Sequence, residues 1–282
     1  MDEHIEALAR GAKQGNKRDL EELIAGIQSP IFDLSLRMLM FVADAEDATQ
    51  EILIKIITHL SDFKGESRFS TWLYRIAVNH LLSLKRYRAK EMNITFDFWE
   101  ADMKRSDPDF DYEALPEPTK TLLTEEVRIG CMQGMLQCLE TKLRIAFILG
   151  NLFEISGKEA ADILGITAEA HRQRLSRARA KITAFMQKNC RLVNPDNPCH
   201  CSNLVGPDIR DKWVDPDNPQ FVGVRCHAKI DQTVKDRLLE LNEIVRVMVL
   251  FRSYPEYSAP DAVVEIVKRI MDSRQYEILQ HG

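Results

Sequence analysis

Apolar residues recur every three or four positions through most of this chain, which is the spacing of one face of an α-helix. In the first 90 residues the pattern covers "DLEELIAGI", "PIFDLSLRMLM", "AEDATQEILIKIITHL" and "TWLYRIAVNHLLSLKRYR". We predict that Asp44 caps the third of these segments and Ser70 the fourth, because short polar side chains accept from free N–H groups at a helix start. The first part of the chain is therefore predicted to be helical throughout.

Between residues 91 and 126 the apolar period stops, and eleven acidic residues face only three basic ones. Pro108, Pro116 and Pro118 lie in the same stretch. Low hydrophobicity with high net charge is typical of a segment that does not pack. We therefore predict an extended acidic linker over residues 91–124, which serves either as a plain tether or in a function of its own.

Helical periodicity resumes near Glu125 and continues to about Lys188, with interruptions at Gly157 and Gly165. In "SGKEAADILG", Ser156 is the expected N-cap of a short helix. The tight turn "ITAEA" then leads into a longer helix. Two helices joined by such a turn are the signature of a helix-turn-helix, which we place in a domain over residues 125–188.

The last third, residues 189–282, begins with a turn-rich stretch in which "VNPDNP" (193–198) is echoed by "VDPDNP" (214–219). The echo is either repeated turn chemistry, since Asn-Pro and Asp-Pro steps favour turns, or a true repeat. Two amphipathic helices are predicted to close the chain, one at about residues 230–251 and one after Ser258. We expect them to form a helical hairpin.

The bulk composition is that of an ordinary globular protein, with 45% hydrophobic and 29% charged residues and a net charge of −5. No apolar segment follows a basic start, and no apolar run approaches the ~20 residues that span a bilayer. We therefore expect a cytoplasmic protein with reduced thiols and no membrane association.

Against this acidic background, the segment from Ala170 to Arg191 carries seven fixed positive charges and no carboxylate. On a helix, His171, Leu175, Ala178 and Ile182 share one face, which we predict to be buried, and the arginines cover the rest. A solvated surface helix usually mixes both signs of charge, so the pattern favours a helix that lies in the major groove of DNA.

A second cation-rich stretch without acids runs from Ser67 to Lys90. Phe69, Trp72 and Tyr74 lie near its start, beside Gly65. A flat ring for stacking beside charges for the backbone is what an unstacked base requires. For Trp72 the alternative is a place in the core, and the pattern does not decide between the two.

Two sequence blocks resemble a known family. "DAEDATQEILIKIITHLSDFKGESRFSTWLYRIAVNHLLSLKR" (44–86) resembles domain two of sigma-70 transcription factors, and "LETKLRIAFILGNLFEISGKEAADILGITAEAHRQRLSRARAKI" (139–182) resembles their domain four. The order and spacing, with no domain between them, are similar to the extracytoplasmic-function group. The resemblance covers about residues 1–188, with domain two over residues 1–90.

The resemblance implies a role for each matching position. Asp47, Gln50 and Glu51 would dock on the clamp helices of the largest RNA polymerase subunit. The loop 64–68 and the helix start after it would hold a flipped base of the minus-ten element, and the helix from Glu169 would read the minus-thirty-five element. The acidic linker would pass through the polymerase channels as a mimic of nascent RNA. The implied DNA-binding residues are Lys64, Arg68, Ser70, Thr71, Trp72, Arg75, Asn79, His80, Arg172, Gln173, Arg174, Ser176, Arg177 and Arg179.

The C-terminal third lies outside the main resemblance and holds Cys190, Cys199, Cys201 and Cys226. Thiolates in a reducing compartment suit zinc or another soft metal, although this spacing is not that of a standard zinc finger. The alternative is that these are reduced structural cysteines, and no cofactor is required in either case. The extension resembles loosely the cysteine-bearing tails of some family members. Regulation is expected either from an anti-sigma protein or from self-inhibition by this extension, which would take the part of an anti-sigma protein.

Taken together, the sequence predicts an alternative sigma factor that binds RNA polymerase core and promoter DNA and directs melting and initiation. A stand-alone helix-turn-helix regulator is the alternative, and it leaves the block 44–86 unexplained. We find no phosphate-binding glycine loop, no HExxH pair and no nucleophile motif, so an enzyme is not expected.

Overall fold

The computed structural model describes residues 2–84, 87–222, 243–253, 255–260, 263 and 265. Regular structure over these residues is helical, and Cys190 and Cys199 form an isolated β-bridge. The all-α prediction is therefore confirmed. The chain divides into two compact units, the first made of Met1–Arg88, Ser156–His171 and Tyr257–Gly282, and the second of Ala89–Ile155 and Arg172–Glu256.

The first unit is a helical cluster whose core comes from the predicted apolar stripes. Leu23, Ile31, Ile52, Ile56 and Leu73 are all buried there. Its helices are α1 (Asp2–Lys13), α2 (Lys17–Leu39), α3 (Val42–Thr58), a 3-10 turn (Leu60–Asp62), α4 (Phe69–Ser83) and, from later in the chain, α9 (Gly157–Leu164).

The helix starts in the first unit differ from those predicted. Helix α3 begins at Val42 after Phe41, so Asp44 is not its cap but lies in the first turn, where its carboxylate accepts from the Arg88 N–H at 2.9 Å. Helix α4 begins at Phe69 after Arg68, so Ser70 is not a cap either. Neither N-cap residue, Phe41 or Arg68, caps the helix with its own side chain. The first N–H of α4, that of Phe69, donates instead to the Glu6 carboxylate of α1 at 3.3 Å, so a residue distant in sequence supplies the acceptor.

None of the helices in the described part of the chain has both the length and the apolarity needed to cross a bilayer.

The second unit is built around α7 (Glu117–Gln137). The other elements of this unit, some of which begin just outside it, are α5 (Arg88–Glu91), α6 (Phe96–Asp102), a 3-10 turn (Tyr112–Ala114), α8 (Thr141–Phe147), a π-helical turn (Ile148–Leu152), α10 (Ala168–Asn189), a 3-10 turn (Cys201–Leu204), α11 (Val205–Arg210) and α12 (Glu243–Arg252).

The acidic segment 91–124 is not extended, so this expectation is wrong. Thr95 caps α6 by accepting from the Phe98 N–H at 3.1 Å, and Trp99 of α6 is only 4% exposed. The Trp99 ring lies against the bare backbone of Gly134 on α7, where an added Cβ would come within 2.2 Å of the ring. The Trp99 ring on Gly134 is therefore one of the contacts that pack the acidic segment into the second unit, and Phe110, Tyr112 and Leu115 add others against the core cluster around Leu123 and Val127.

Ion pairs with residues later in the chain balance part of the acidic charge that suggested a solvated tether: Lys188 pairs with Glu100 at 2.6 Å and Arg210 with Asp107 at 3.3 Å. In the other direction, the Arg105 guanidinium of the segment bonds Asp208 at 2.5 Å and Asp211 at 2.6 Å in the C-terminal extension. Burial raises the pKa of Asp208 to about 6, against the opposing effect of Arg105. Lys120 pairs with Glu113 and Glu117. Charge counting along the sequence missed the contacts of Arg105 with Asp208 and Asp211, because these partners lie 103 and 106 positions away.

The C-terminal extension completes the core of the second unit. Leu204, Val205 and Val214 are buried against Leu123 and Val127 of α7. Beyond them, the buried Glu126 carboxylate accepts from the backbone N–H groups of residues 220, 221 and 222 at 2.6, 2.9 and 2.8 Å. Residues 189–222 are therefore an integral part of the second unit rather than an appended tail.

The two proline-rich echoes form the same turn. Asn194 and Asp215 each accept, through a side-chain oxygen, from the N–H two residues later, at 3.1 and 3.0 Å. In each copy the N–H of the later asparagine, Asn197 or Asn218, also bonds the carbonyl of that first residue, at 3.1 and 3.2 Å. The two copies therefore share one turn geometry, which is typical of Asn and Asp at the first position of a turn.

The predicted closing helices fall partly outside the described residues. Helix α12 corresponds to the end of the first predicted helix, at about residues 230–251. Its Phe251 packs edge-on against Phe147, with ring centroids 5.2 Å apart. The second, beginning after Ser258, lies almost entirely outside them. Just before it, in the first unit, the Ala259 N–H donates to Ser29 Oγ at 3.1 Å and the Arg37 guanidinium lies over the Tyr257 ring.

Candidate polymerase and nucleic-acid interface

Helix α3 presents the three residues predicted to bind polymerase on one side. Asp47 and Glu51 are exposed and Gln50 is half-buried, whereas Ala48 and Ile52 face the core. Positions three and four apart lie together on a helix surface, so the three side chains form one polar, acidic patch. We call Asp47, Gln50 and Glu51 the acidic patch of α3.

The loop before α4 combines exposed cations with an aromatic cluster. Lys64 and Arg68 are exposed, and Gly65 has a φ of 75°, which a side chain would strain. Phe69 is buried, and Trp72 is half-buried with its ring centroid 5.5 Å from those of both Phe63 and Phe69. Trp72 thus belongs to the cluster and still reaches the surface.

His80 does not face outward as a DNA-contacting residue would. Its side chain is 5% exposed and lies against α3, with Nδ1 2.6 Å from the Lys55 amine and Nε2 3.7 Å from the Glu51 carboxylate. Burial and then the Lys55 charge lower the pKa of His80, which favours a neutral ring. In this conformation His80 joins α3 to α4, while Asn79 beside it is exposed.

Two of the predicted minus-ten residues are engaged by α9 within the first unit. The Thr71 hydroxyl donates to Glu159 Oε1 at 3.2 Å, and the Arg75 guanidinium donates to the Asp162 carbonyl at 2.9 Å. Thr71 is buried by this packing. Sequence reasoning missed Glu159 and Asp162 as partners, because only tertiary structure brings α9 to α4.

The turn into α10 has the predicted helix-turn-helix chemistry. Ser156 caps α9 by accepting from the Glu159 N–H at 3.3 Å, and the Ser-x-x-Glu spacing is that of a capping box. Gly165 ends α9 in the left-handed conformation, with φ 61°. Thr167 then accepts from the Ala170 N–H at 3.1 Å at the start of α10. The predicted Ser156 cap is confirmed.

Helix α10 separates a buried face from a cationic one. His171, Ala178 and Ile182 are at most 2% exposed, which confirms the predicted buried face, and Leu175 beside them is half-buried. The exposed residues of the predicted reading surface are Arg172, Gln173, Ser176 and Arg177, and the half-buried ones are Arg174 and Arg179.

Comparison with known proteins finds two sigma-70 regions in this chain. The family model "Sigma-70 region 2" matches residues 27–91, and "Sigma-70, region 4" matches residues 129–182. The RNA polymerase sigma-H factor of Pseudomonas aeruginosa is 30% identical over 192 residues, which cover 66% of this chain and 95% of that protein. The ECF RNA polymerase sigma factor SigW of Bacillus subtilis is 28% identical over 183 residues, covering 64% and 95%.

A solved structure of CnrH in complex with the cytosolic domain of CnrY has a TM-score of 0.47 and 22% identity, over 65% of this chain and 97% of that chain. The family rests instead on the sequence matches. This chain belongs to the sigma-70 family of RNA polymerase sigma factors, in the extracytoplasmic-function group. It is an alternative sigma factor that directs transcription initiation.

Proposed function

We propose that the acidic patch of α3 docks on the polymerase core, that the loop 64–68 with α4 holds melted minus-ten DNA, and that α10 reads the minus-thirty-five element. Each role belongs to a matching position of the sigma-70 family. The observation that carries the proposal is the two-sided character of α10, whose apolar face is buried while Arg172, Gln173, Ser176 and Arg177 are exposed. Such a helix can enter a major groove without losing its packing.

Arg177→Ala is the direct test of the reading helix. The exposed guanidinium is placed to contact a base edge or phosphate, so its loss should weaken promoter binding by the polymerase complex by about 1–3 kcal/mol, roughly tenfold to a hundredfold. The promoter is first identified by mapping the transcription starts that depend on this chain. The measurement is then the affinity of the reconstituted polymerase complex for that mapped promoter.

Arg191→Ala is the matched control, because Arg191 is exposed and lies just beyond the end of α10. This variant should bind the promoter like the unchanged protein. If the Arg177→Ala variant binds the promoter as tightly as the unchanged protein, the role given to this face of α10 is refuted.

We further propose that the free chain inhibits itself by occupying its minus-ten surface. Thr71 and Arg75, predicted to contact DNA, are held by Glu159 and the Asp162 carbonyl of α9. A carboxylate and a carbonyl offer these donors the kind of oxygen acceptors that a DNA backbone offers. Binding to core polymerase would then have to separate α4 from α9 before promoter melting, which explains a requirement for core.

Glu159→Ala should therefore raise the affinity of the free chain for single-stranded minus-ten DNA. A hydrogen bond to a charged acceptor contributes up to ~1.5–3 kcal/mol, so the loss of this bond should raise the affinity for single-stranded DNA by at most about a hundredfold. Fluorescence anisotropy with a labelled strand of the mapped promoter measures it. Glu159→Gln retains an acceptor oxygen and should show a smaller increase in DNA affinity. If Glu159→Ala binds the strand no more tightly than the unchanged chain, the contact between Thr71 and Glu159 is not inhibitory.

Self-inhibition by the C-terminal extension is a separate candidate, and removal of all residues after Lys188 would be a poor test of it. Residues 204, 205 and 214 are part of the core around α7, and their removal would expose Leu123 and Val127. Point variants at polar contacts are therefore the better probes of self-inhibition.

A further inference from the structure

Cys226, one of the four cysteines predicted to bind a metal, lies outside the described residues. Among the residues that the structure does describe, no group of three or more His, Cys, Asp or Glu is placed to hold a metal ion. Metal binding by the extension stays a prediction.

We propose that Glu6 and Lys13 of α1 are positioning residues for the loop 64–68, and that through them α1 sets the shape of the aromatic cluster beside this loop. The inference rests on the proposed function, in which the loop and α4 hold melted minus-ten DNA. The sigma-70 region 2 model matches from residue 27 onward, so α1 lies before the matched part of the chain. Neither Glu6 nor Lys13 is among the positions to which the resemblance gives a role.

Both ends of the loop are held by side chains of α1. The Lys13 amine donates to the carbonyl of Phe63, just before the loop, at 2.7 Å. The Glu6 carboxylate accepts from the N–H of Phe69, just after the loop, at 3.3 Å. The two side chains are seven positions apart, which places them on one face of the helix and about 10 Å apart along its axis. One face of α1 therefore holds the chain on both sides of the loop.

The charge of each side chain suits the backbone group that it holds. The Phe69 N–H is the first of α4, and a carboxylate is stabilising at a helix N-terminus. The Phe63 carbonyl lies at the end of the 3-10 turn Leu60–Asp62, where an amine is a favourable donor. Both contacts are made to backbone atoms, so they fix the path of the chain independently of the loop side chains.

The two residues held in this way form the aromatic cluster with Trp72. The Phe63 and Phe69 rings meet edge-on with centroids 5.3 Å apart, and each lies 5.5 Å from the centroid of Trp72. A shift of either backbone end would displace a ring that packs on Trp72. Because a stacked base requires an aromatic face in a fixed place, such a shift should weaken base binding.

Helix α1 is itself fixed on the core of the first unit. Ala9 and Ala12 are at most 1% exposed. The Ile5 side chain lies against Gly26 of α2, where an added Cβ would come within 2.8 Å of it, so only a glycine permits this approach. The two polar side chains therefore project from a helix that is held in place by packing.

The test compares single strands of the mapped minus-ten element that carry every base with strands that carry an abasic site at each position in turn. The polymerase complex with the unchanged chain should prefer the intact strand about fivefold to a hundredfold at the flipped position, which is the effect of one stacked base. Lys13→Ala should reduce this preference about threefold to tenfold, which is the effect of one hydrogen bond of ordinary strength. Fluorescence anisotropy with labelled strands measures both affinities.

Glu6→Ala should reduce the preference in the same way, and the double variant should reduce it further. Glu6→Gln retains an acceptor oxygen and Lys13→Arg retains a donor, so each should keep most of the preference. A general loss of stability would not change the ratio of the two affinities in this selective way. Circular dichroism shows whether each variant folds, and Lys13→Ala, at an exposed position, decides the matter alone should Glu6→Ala not fold.

Glu3→Ala and Arg10→Ala are the matched controls, because these residues carry the same charges and are exposed on α1. Both variants should keep the full preference for the intact strand. If the unchanged complex shows no preference at any position, the proposed function of the loop is wrong and this inference is wrong with it. If the unchanged complex shows the preference and the alanine variants of Lys13 and Glu6 retain it in full, the inference is overturned while the proposed function stands.

Discussion

Glu126→Ala should destabilise the second unit by about 3–6 kcal/mol. The Glu126 carboxylate is 1% exposed and accepts from three successive backbone N–H groups, of Gln220, Phe221 and Val222. Alanine leaves these donors without their acceptor, and a buried unsatisfied group costs ~1–3 kcal/mol. Urea denaturation followed by circular dichroism should show a transition at clearly lower denaturant.

Glu117→Ala on the same helix is the control. Glu117 is exposed, and its ion pair with Lys120 at the surface is worth less than ~1 kcal/mol. A small shift for Glu117 beside a large one for Glu126 would establish that the extension is anchored by this carboxylate. Similar small shifts for both would mean that residues 220–222 contribute little to stability.

Reversing the charge of the acidic patch of α3 is the second change with a large expected effect. With Asp47, Gln50 and Glu51 all replaced by lysine, association with core polymerase should weaken roughly a hundredfold or more. We proposed that this patch docks on the polymerase core, and like charges brought together at an interface cost several kcal/mol. Binding of labelled chain to purified core measures the effect.

Glu21→Lys with Glu22→Lys is the control for that experiment, since both side chains are exposed on α2, away from the predicted patch. Their reversal should leave core binding within a few-fold of the unchanged chain. Loss of binding to the same extent in both variants would point to a general charge effect and exclude α3 as the docking site.

Local patterns predicted the elements whose chemistry is local. The buried face of α10 follows from the spacing of His171, Ala178 and Ile182, and the Ser156 cap follows from the chemistry of a free helix end. The arginines on the remaining surface of α10 could be placed for the same reason. These features depend on residues within two or three helical turns of one another.

Contacts between distant residues could not be predicted in this way. Acidic composition suggested an extended segment, yet Trp99 packs on Gly134 and Arg105 binds Asp208. Likewise, no pattern near Thr71 indicates Glu159 as its partner. The predicted DNA-facing His80 is buried for the same reason, since its partner Lys55 lies on another helix.

The central claim is that this chain initiates transcription at promoters only when it is bound to polymerase. Reconstituted transcription on genomic templates, with purified chain and core polymerase added separately and together, tests it most directly. We predict transcripts with discrete start sites from the mixture and from neither component alone. Specific binding of the isolated chain to duplex promoters, with no initiation when core is added, would contradict the claim and favour a stand-alone regulator.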